Sequence, residues 1–398
     1  MTLHHLTTRR SALGLLGGAA VAAAAGPLAT ARPAYAGASG RVPEELRPGG
    51  RLDRLIAEQA AKDDFSGTVL VAYRDRPVLR RSYGMADKER SVHNRADTRF
   101  DLASVTKTFT AVAVAQLARR GKLDFRAKLS TYLDGFPAAA GAVTVHQLLT
   151  HTSGLGRPPL GNDPQPGRDW DTIQKVWDGR ARLVRGLSPA FTPGSEYRYS
   201  NDGYFVLGEI VARVSGKSYY DYVREHIFAP AAMKDSDFFT RTQVRADATI
   251  ARPYASLPSG GRIDASGTDM FPFFGTPDRG AYCTVADLLR FARALRTGKL
   301  LDRASVRLIT TGKVPLPASE QPGLTRESLS YGYGFLNAVV NGRHVVGHSG
   351  GGPGARTNLN LYPELGWVVV VLGNYDTPIV PMVELERQLI TRPSADGS

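Results

Sequence analysis

Ser104-Val105-Thr106-Lys107 sets a serine and a lysine three residues apart, at the start of a helical pattern that runs to Arg120 and stops at Gly121. On a helix, that spacing puts both side chains on one face, next to each other. A serine hydroxyl is a weak nucleophile until a base takes its proton. A lysine becomes that base when burial removes the hydration of its ammonium and lowers its pKa from about 10.4 towards neutrality. Oriented N–H groups at the helix start also favour negative charge at the serine. Taken alone the pair is a short motif of common residues, but Ser104 is the only serine standing three before a lysine.

Two further clusters carry compatible chemistry. Tyr199-Ser200-Asn201 is the only Tyr-x-Asn in the chain, just after Pro193-Gly194-Ser195 and just before a helical segment. A phenol can relay protons to a leaving group. An asparagine amide can hold a lysine and a substrate carbonyl. The same residues also read as a surface turn whose asparagine caps the next helix. His348-Ser349-Gly350 closes the run Val345-Val346-Gly347 and leads into Gly351-Gly352-Pro353-Gly354. Glycines there let a substrate approach the backbone, and a polar side chain on an edge strand would face the nucleophile. Gly347-His348-Ser349-Gly350-Gly351 also fits a G-x-S-x-G nucleophile elbow. That reading fails because no histidine follows His348 and no helix follows the glycines.

The elements that must hold these residues are legible in outline. Leu52, Leu55, Ile56 and Gln59 recur at helical spacing, and two strands, 67–73 and 77–83, flank a turn at Arg74-Asp75-Arg76. Thr144-Val145-His146-Gln147 and Thr284-Val285-Ala286-Asp287 read as capping boxes, and a helix runs from Phe205 to Ser215 before Gly216. Four strands are expected at 334–340, 344–347, 357–362 and 367–372, then a last helix over about 378–390. The order implies an α/β chain of α+β type: an antiparallel sheet built from both chain ends and flanked by helices, with a mostly helical insertion. The expected boundaries are a catalytic domain over 37–398, with an α/β lobe at about 41–103 and 285–392 and a helical lobe at about 104–284.

Ser104-x-x-Lys107, Tyr199-x-Asn201 and His348-x-Gly350, in that order, resemble the serine β-lactamase-like hydrolases: class C β-lactamases, DD-peptidases and related esterases and D-amino-acid peptidases. Leu148-Leu149-Thr150-His151-Thr152-Ser153-Gly154 and Tyr331-Gly332-Tyr333-Gly334 look like the family too, and the likeness spans about Phe65 to Asn374. The resemblance implies Ser104 as the acylated nucleophile, Lys107 as its base and Tyr199 as the proton relay. It implies Asn201, His348 and Gly350 as substrate contacts, and the backbone N–H groups of Ser104 and Gly351 as the oxyanion hole. His348 stands where true β-lactamases carry lysine, which disfavours β-lactam turnover. The strand at 334–340 has no Arg or Lys for a free substrate carboxylate, which disfavours a strict carboxypeptidase. The function expected is an exported serine hydrolase of an ester or D-peptide-like amide. The alternatives are a β-lactamase, a D-alanyl-D-alanine carboxypeptidase, or a cell-wall sensor that acylates without turnover.

Residues 1–36 read as an export signal: Arg9-Arg10, an apolar run from Ala12 to Ala25, then Ala34-Tyr35-Ala36. The arginine pair resembles a twin-arginine signal. No later run reaches the ~18–20 apolar residues of a membrane span, so no stable membrane insertion is expected after its removal. The net charge of +13 comes from scattered arginines with no basic stripe, which argues against nucleic acid and suits anionic cell-wall polymers. Cys283 is the sole cysteine, so neither an intrachain disulfide nor a cysteine zinc site can form. No His-Glu-x-x-His occurs, and no metal or cofactor is expected. Cys283 reads as a small buried hydrophobe, and His151 as a packing or hydrogen-bonding residue behind the site.

Overall fold

In the computed structural model, which describes residues 42–156, 170–320 and 322–392, strand β1 (Gly67–Tyr73) turns into β2 (Arg76–Tyr83) through Arg74 and Asp75. Both turn residues have positive φ, 50° and 64°, the two-residue geometry whose twist matches that of paired strands. The other strands of this sheet come from the far end of the chain: β3 (Val314–Pro315), β4 (Ser328–Tyr331), β5 (Leu336–Val340), β6 (Arg343–Gly352), β7 (Ala355–Tyr362) and β8 (Trp367–Gly373). Their spatial order is β3-β4-β5-β6-β7-β8-β1-β2, antiparallel throughout. First and last segments meet where β1 pairs with β8 along its whole length.

Period-two alternation divides the buried side chains between two cores. Val69, Val71, Val369 and Val371 pack with Leu52 and Ile56 of α1 (Arg51–Ala61) and with Met382 and Leu385 of the last helix, Val380–Thr391. Leu70, Ala72, Val368, Val370 and Leu372 point the other way, into a larger core with α2 (Lys107–Arg119) and the helix Val285–Arg296. Burial on both faces explains why β8 reads as an unbroken apolar run. Glu45 and Arg392 approach to 3.5 Å, so the two ends of the described fold touch. Among the described residues no helix is long and apolar enough to cross a membrane. The expected signal, 1–36, lies outside the described residues.

Between β2 and β3 the chain is mostly helical. It includes α2, α3 (Val145–Leu149), α4 (Ile173–Arg185), α5 (Asn201–Ser215) and α6 (Val285–Arg296). The capping box at α3 is complete, with Thr144 and Gln147 each bonding the other's backbone. At α6 only half of it forms. Thr284 accepts from Asp287 N, but the Asp287 carboxylate is taken by Asp235 N, Ser236 Oγ and Arg290. Helix α5 starts four residues earlier than its apolar pattern does, because Ser200 caps it by accepting from Gly203 N. The cap therefore falls on Ser200, not Asn201, and the Asn201 side chain is left for other work. Strand β6, which carries His348, lies inside the sheet between β5 and β7 and not at an edge.

Candidate active site

Ser104 sits in a 3-10 turn, Ala103–Thr106, that leads straight into α2 at Lys107. Ala103 before it is left-handed, at φ +44°. Such a conformation costs an alanine about 1–3 kcal/mol and persists only where its surroundings enforce it. Here the Asp101 carboxylate accepts from Ala103 N at 2.8 Å, and Thr357 Oγ1 on β7 donates to Leu102 O at 2.9 Å. Gly350 on β6 completes the seat. A Cβ added there would lie 2.3 Å from Thr357 Oγ1 and 2.5 Å from Leu102 O. The space its missing side chain leaves is filled by the nucleophile turn, not kept open for substrate, which corrects the reason expected for this glycine.

Lys107 is fully buried. Its Nζ lies 2.7 Å from Asp278 O, 2.8 Å from Asn201 Oδ1 and 3.2 Å from Ser104 Oγ. Burial pulls its pKa from 10.5 down to about 7, against the raising influence of Asp278, and Arg279 and Arg180 push the same way as burial. The three contacts are not equivalent. A carbonyl and an amide oxygen can only accept, so Asp278 O and Asn201 Oδ1 each require an N–H. Only the Ser104 hydroxyl can be donor or acceptor. When Lys107 loses a proton, its lone pair must therefore face Ser104.

Tyr199 is hydrogen-bonded to Ser104. Burial pushes the phenol well above its ordinary range and keeps it protonated. Lys107 Nζ lies over its ring at 4.8 Å. His151 supports this tyrosine from behind. Its ring stacks on that of Tyr199 at 4.3 Å, Nδ1 accepts from Ser200 N at 2.9 Å, and its carbonyl accepts from Arg198 N at 2.9 Å. The two bonds bracket Tyr199, the hydrogen-bonding role expected of His151. Cys283 is buried and free.

The cleft over Ser104 has a volume of about 650 Å³ and is lined by Tyr197, Tyr199, His348, Gly351, Glu320 and Arg356 among others. His348 is buried. Its Nδ1 donates to Ser349 O at 2.6 Å, and its Nε2 accepts from the Tyr331 hydroxyl at 2.9 Å. Burial, followed by the nearby Lys107, pushes its pKa down to about 3. A free imidazole titrates near 6.5, so this one stays neutral where an exposed histidine would be charged. The strand at 334–340 brings no cation, but β7 carries one to the cleft: Arg356 lies across from Gly351, and its Nη1 would be 2.3 Å from a Cβ on that glycine. Sequence reasoning missed Arg356 and Glu320 because neither lies in a motif. Strand register brings Arg356 to the cleft, and a 3-10 turn, Ala318–Glu320, carries Glu320.

Residues 52–390 match the family profile described as Beta-lactamase. The chain is similar to Penicillin-binding protein 4* of Bacillus subtilis (strain 168), 29% identical over 340 residues, 81% of this chain and 71% of the relative. It is also similar to Esterase EstB of Burkholderia gladioli, 30% identical over 335 residues, 75% of this chain and 81% of the relative. Among solved structures, the penicillin binding protein from Bacillus halodurans superposes with a TM-score of 0.72 at 29% identity, over 83% of this chain and 98% of that one.

Proposed function

The chain belongs to the Beta-lactamase family and is a serine hydrolase of that family; from this premise we propose that it is exported and cleaves an ester or a D-amino-acid-type amide through an acyl-enzyme on Ser104. The observation that carries the reading is the Lys107 ammonium nitrogen, buried, held by two obligate acceptors and turned towards Ser104 Oγ.

Neutral Lys107 takes the Ser104 proton as Oγ bonds to the substrate carbonyl carbon. The carbonyl π pair moves to oxygen, which faces the backbone N–H groups of Ser104 and Gly351. As the tetrahedral species collapses, the bond to the leaving group breaks. The Tyr199 hydroxyl passes that group a proton and recovers one from Lys107. Water then attacks the ester carbon by the same proton path in reverse, which frees Ser104. Asn201 holds both Lys107 and the acyl carbonyl side of the substrate.

Small neutral esters suit a cleft in which His348 carries no charge. A second reading, a carboxypeptidase or β-lactamase acting on acidic substrates, is favoured by one observation, Arg356 beside Gly351. Anionic cell-wall material is the natural setting for an exported basic hydrolase. The test is labelling with a fluorophosphonate, with the adduct mapped by peptide mass, followed by rates on para-nitrophenyl esters, D-alanyl peptides and a chromogenic cephalosporin. An adduct on Ser104 and continuous turnover support the proposal. An adduct on Ser349 overturns it, and a burst without turnover replaces it with an acylated sensor.

A further inference from the structure

Behind Lys107 lies a buried charge cluster that the proton path above does not use. Arg180, on α4, is 6% exposed. Its Nη2 lies 3.2 Å from Asp202 Oδ1 and 3.7 Å from Asp278 Oδ1. Both aspartates are buried. Asp202 directly follows Asn201 at the start of α5. Asp278 sits in a tight turn closed by two backbone bonds, Thr276 N to Arg279 O and Arg279 N to Thr276 O, at 2.8 and 2.9 Å. Thr276 Oγ1 donates to Asp278 Oδ1, and Thr110 of α2 donates to Pro277 O.

We propose that Arg180 is a positioning residue for Lys107: one guanidinium ties together the two backbone segments that receive the lysine's protons, the Asn201 helix start and the Asp278 turn. Both contacts meet on one nitrogen of a planar guanidinium, which keeps its charge when buried and fixes the directions of its donors, whereas an ammonium is a point charge on a flexible stem. Without Arg180, Asp202 and Asp278 are two buried like charges on separate segments that drift apart, and their acceptors leave Nζ with them. The inference rests on Lys107 being the base.

The arrangement also sets the sign of each charge at the lysine. The groups facing Nζ are the phenols of Tyr199 and Tyr204, the amide of Asn201, the Asp278 carboxylate and the guanidinium groups of Arg180 and Arg279. Neutral His151 and His348 lie beyond them. Removing a cation favours the ammonium and moves the acid limb of kcat/KM to higher pH. Removing an anion moves it to lower pH.

The test is a pair of variants, Arg180→Gln and Asp278→Asn, assayed on a neutral ester from pH 5 to 9. The expected limb shifts are upward for Arg180→Gln and downward for Asp278→Asn, each by at least ~0.5 pH unit. Arg180→Gln should lose roughly three- to tenfold in kcat/KM at pH 6 and regain part of it at pH 9. If both limbs stay where the wild type has them, or Arg180→Gln loses the same factor at every pH, the proposal is overturned. Should Arg180→Gln fail to fold, Arg180→Lys decides. It keeps the charge but not the planar guanidinium, so the limb should stay while kcat falls at every pH, and a wild-type kcat overturns the proposal. Lys107→Arg, run alongside, tests the base itself: if that variant still acylates normally, the underlying reading fails independently of Arg180.

Discussion

Burial wins over the Asp278 carboxylate at Lys107, and that balance has a measurable sign. With the base active only when neutral and its pKa at about 7, kcat/KM for an uncharged ester should rise through pH 7 and fall away on the acid side. A profile flat from pH 5 to 9 would rule Lys107 out. Lys107→Arg keeps the charge but offers no lone pair, so acylation should drop by at least ~10²-fold. An ordinary imidazole would gain charge below about pH 6 and help an acidic substrate, but that of His348 is committed to Ser349 O and Tyr331 and stays neutral down to about pH 3. The ratio of cephalosporin to ester turnover should therefore be level between pH 5 and 8. His348→Lys should raise that ratio by roughly 5–30-fold, the worth of one charge-assisted hydrogen bond. A ratio that climbs as pH drops through 6 would contradict the buried, neutral histidine.

At the level of elements, the nucleophile turn and β6 form one unit. Gly350→Ala forces a methyl against Leu102 O and Thr357 Oγ1, so either the strand or the strained Ala103 turn must give way. The expected result is a loss of about 1–3 kcal/mol of stability together with a fall in the fluorophosphonate labelling rate of Ser104. Labelling at the wild-type rate would show that the turn does not depend on this glycine. The hairpin, the helix spacing around Ser104 and the four late strands were legible because local periodicity and caps carry them. The start of α5 was not. Asn201, Asp202 and Gly203 are poor helix formers, and their helix depends on the Ser200 cap and on Asp202 meeting Arg180 across the fold. The site's motif residues could be found from sequence because their spacing is local or family-like. Arg356, Glu320, Arg180 and Asp278 could not, since strand register and helix packing alone bring them to the site. The low basicity of His348 follows from burial that no local pattern reveals.

For the whole molecule, the export proposal rests on residues 1–36, whose removal takes away Arg9, Arg10 and Arg32 and no acidic residue. Sequencing the N-terminus of protein recovered from culture supernatant should begin at Gly37, and a full-length chain retained in the cytoplasm would refute export. The meeting of Glu45 with Arg392 has a different consequence. If the touching ends were joined and the chain reopened at Gly298, after α6, the strands would run β3, β4, β5, β6, β7, β8, β1, β2 in sequence, which is also their order in the sheet. The circular permutant would carry all eight strands in sheet order, broken only by the last helix and α1 between β8 and β1, with the helical half following as an extension of β2. The pairing of β1 with β8, now separated by most of the chain, would have to close over only the last helix and α1. Lower contact order speeds folding, so the permutant should refold faster than the natural chain and still bring Ser104 to Gly350.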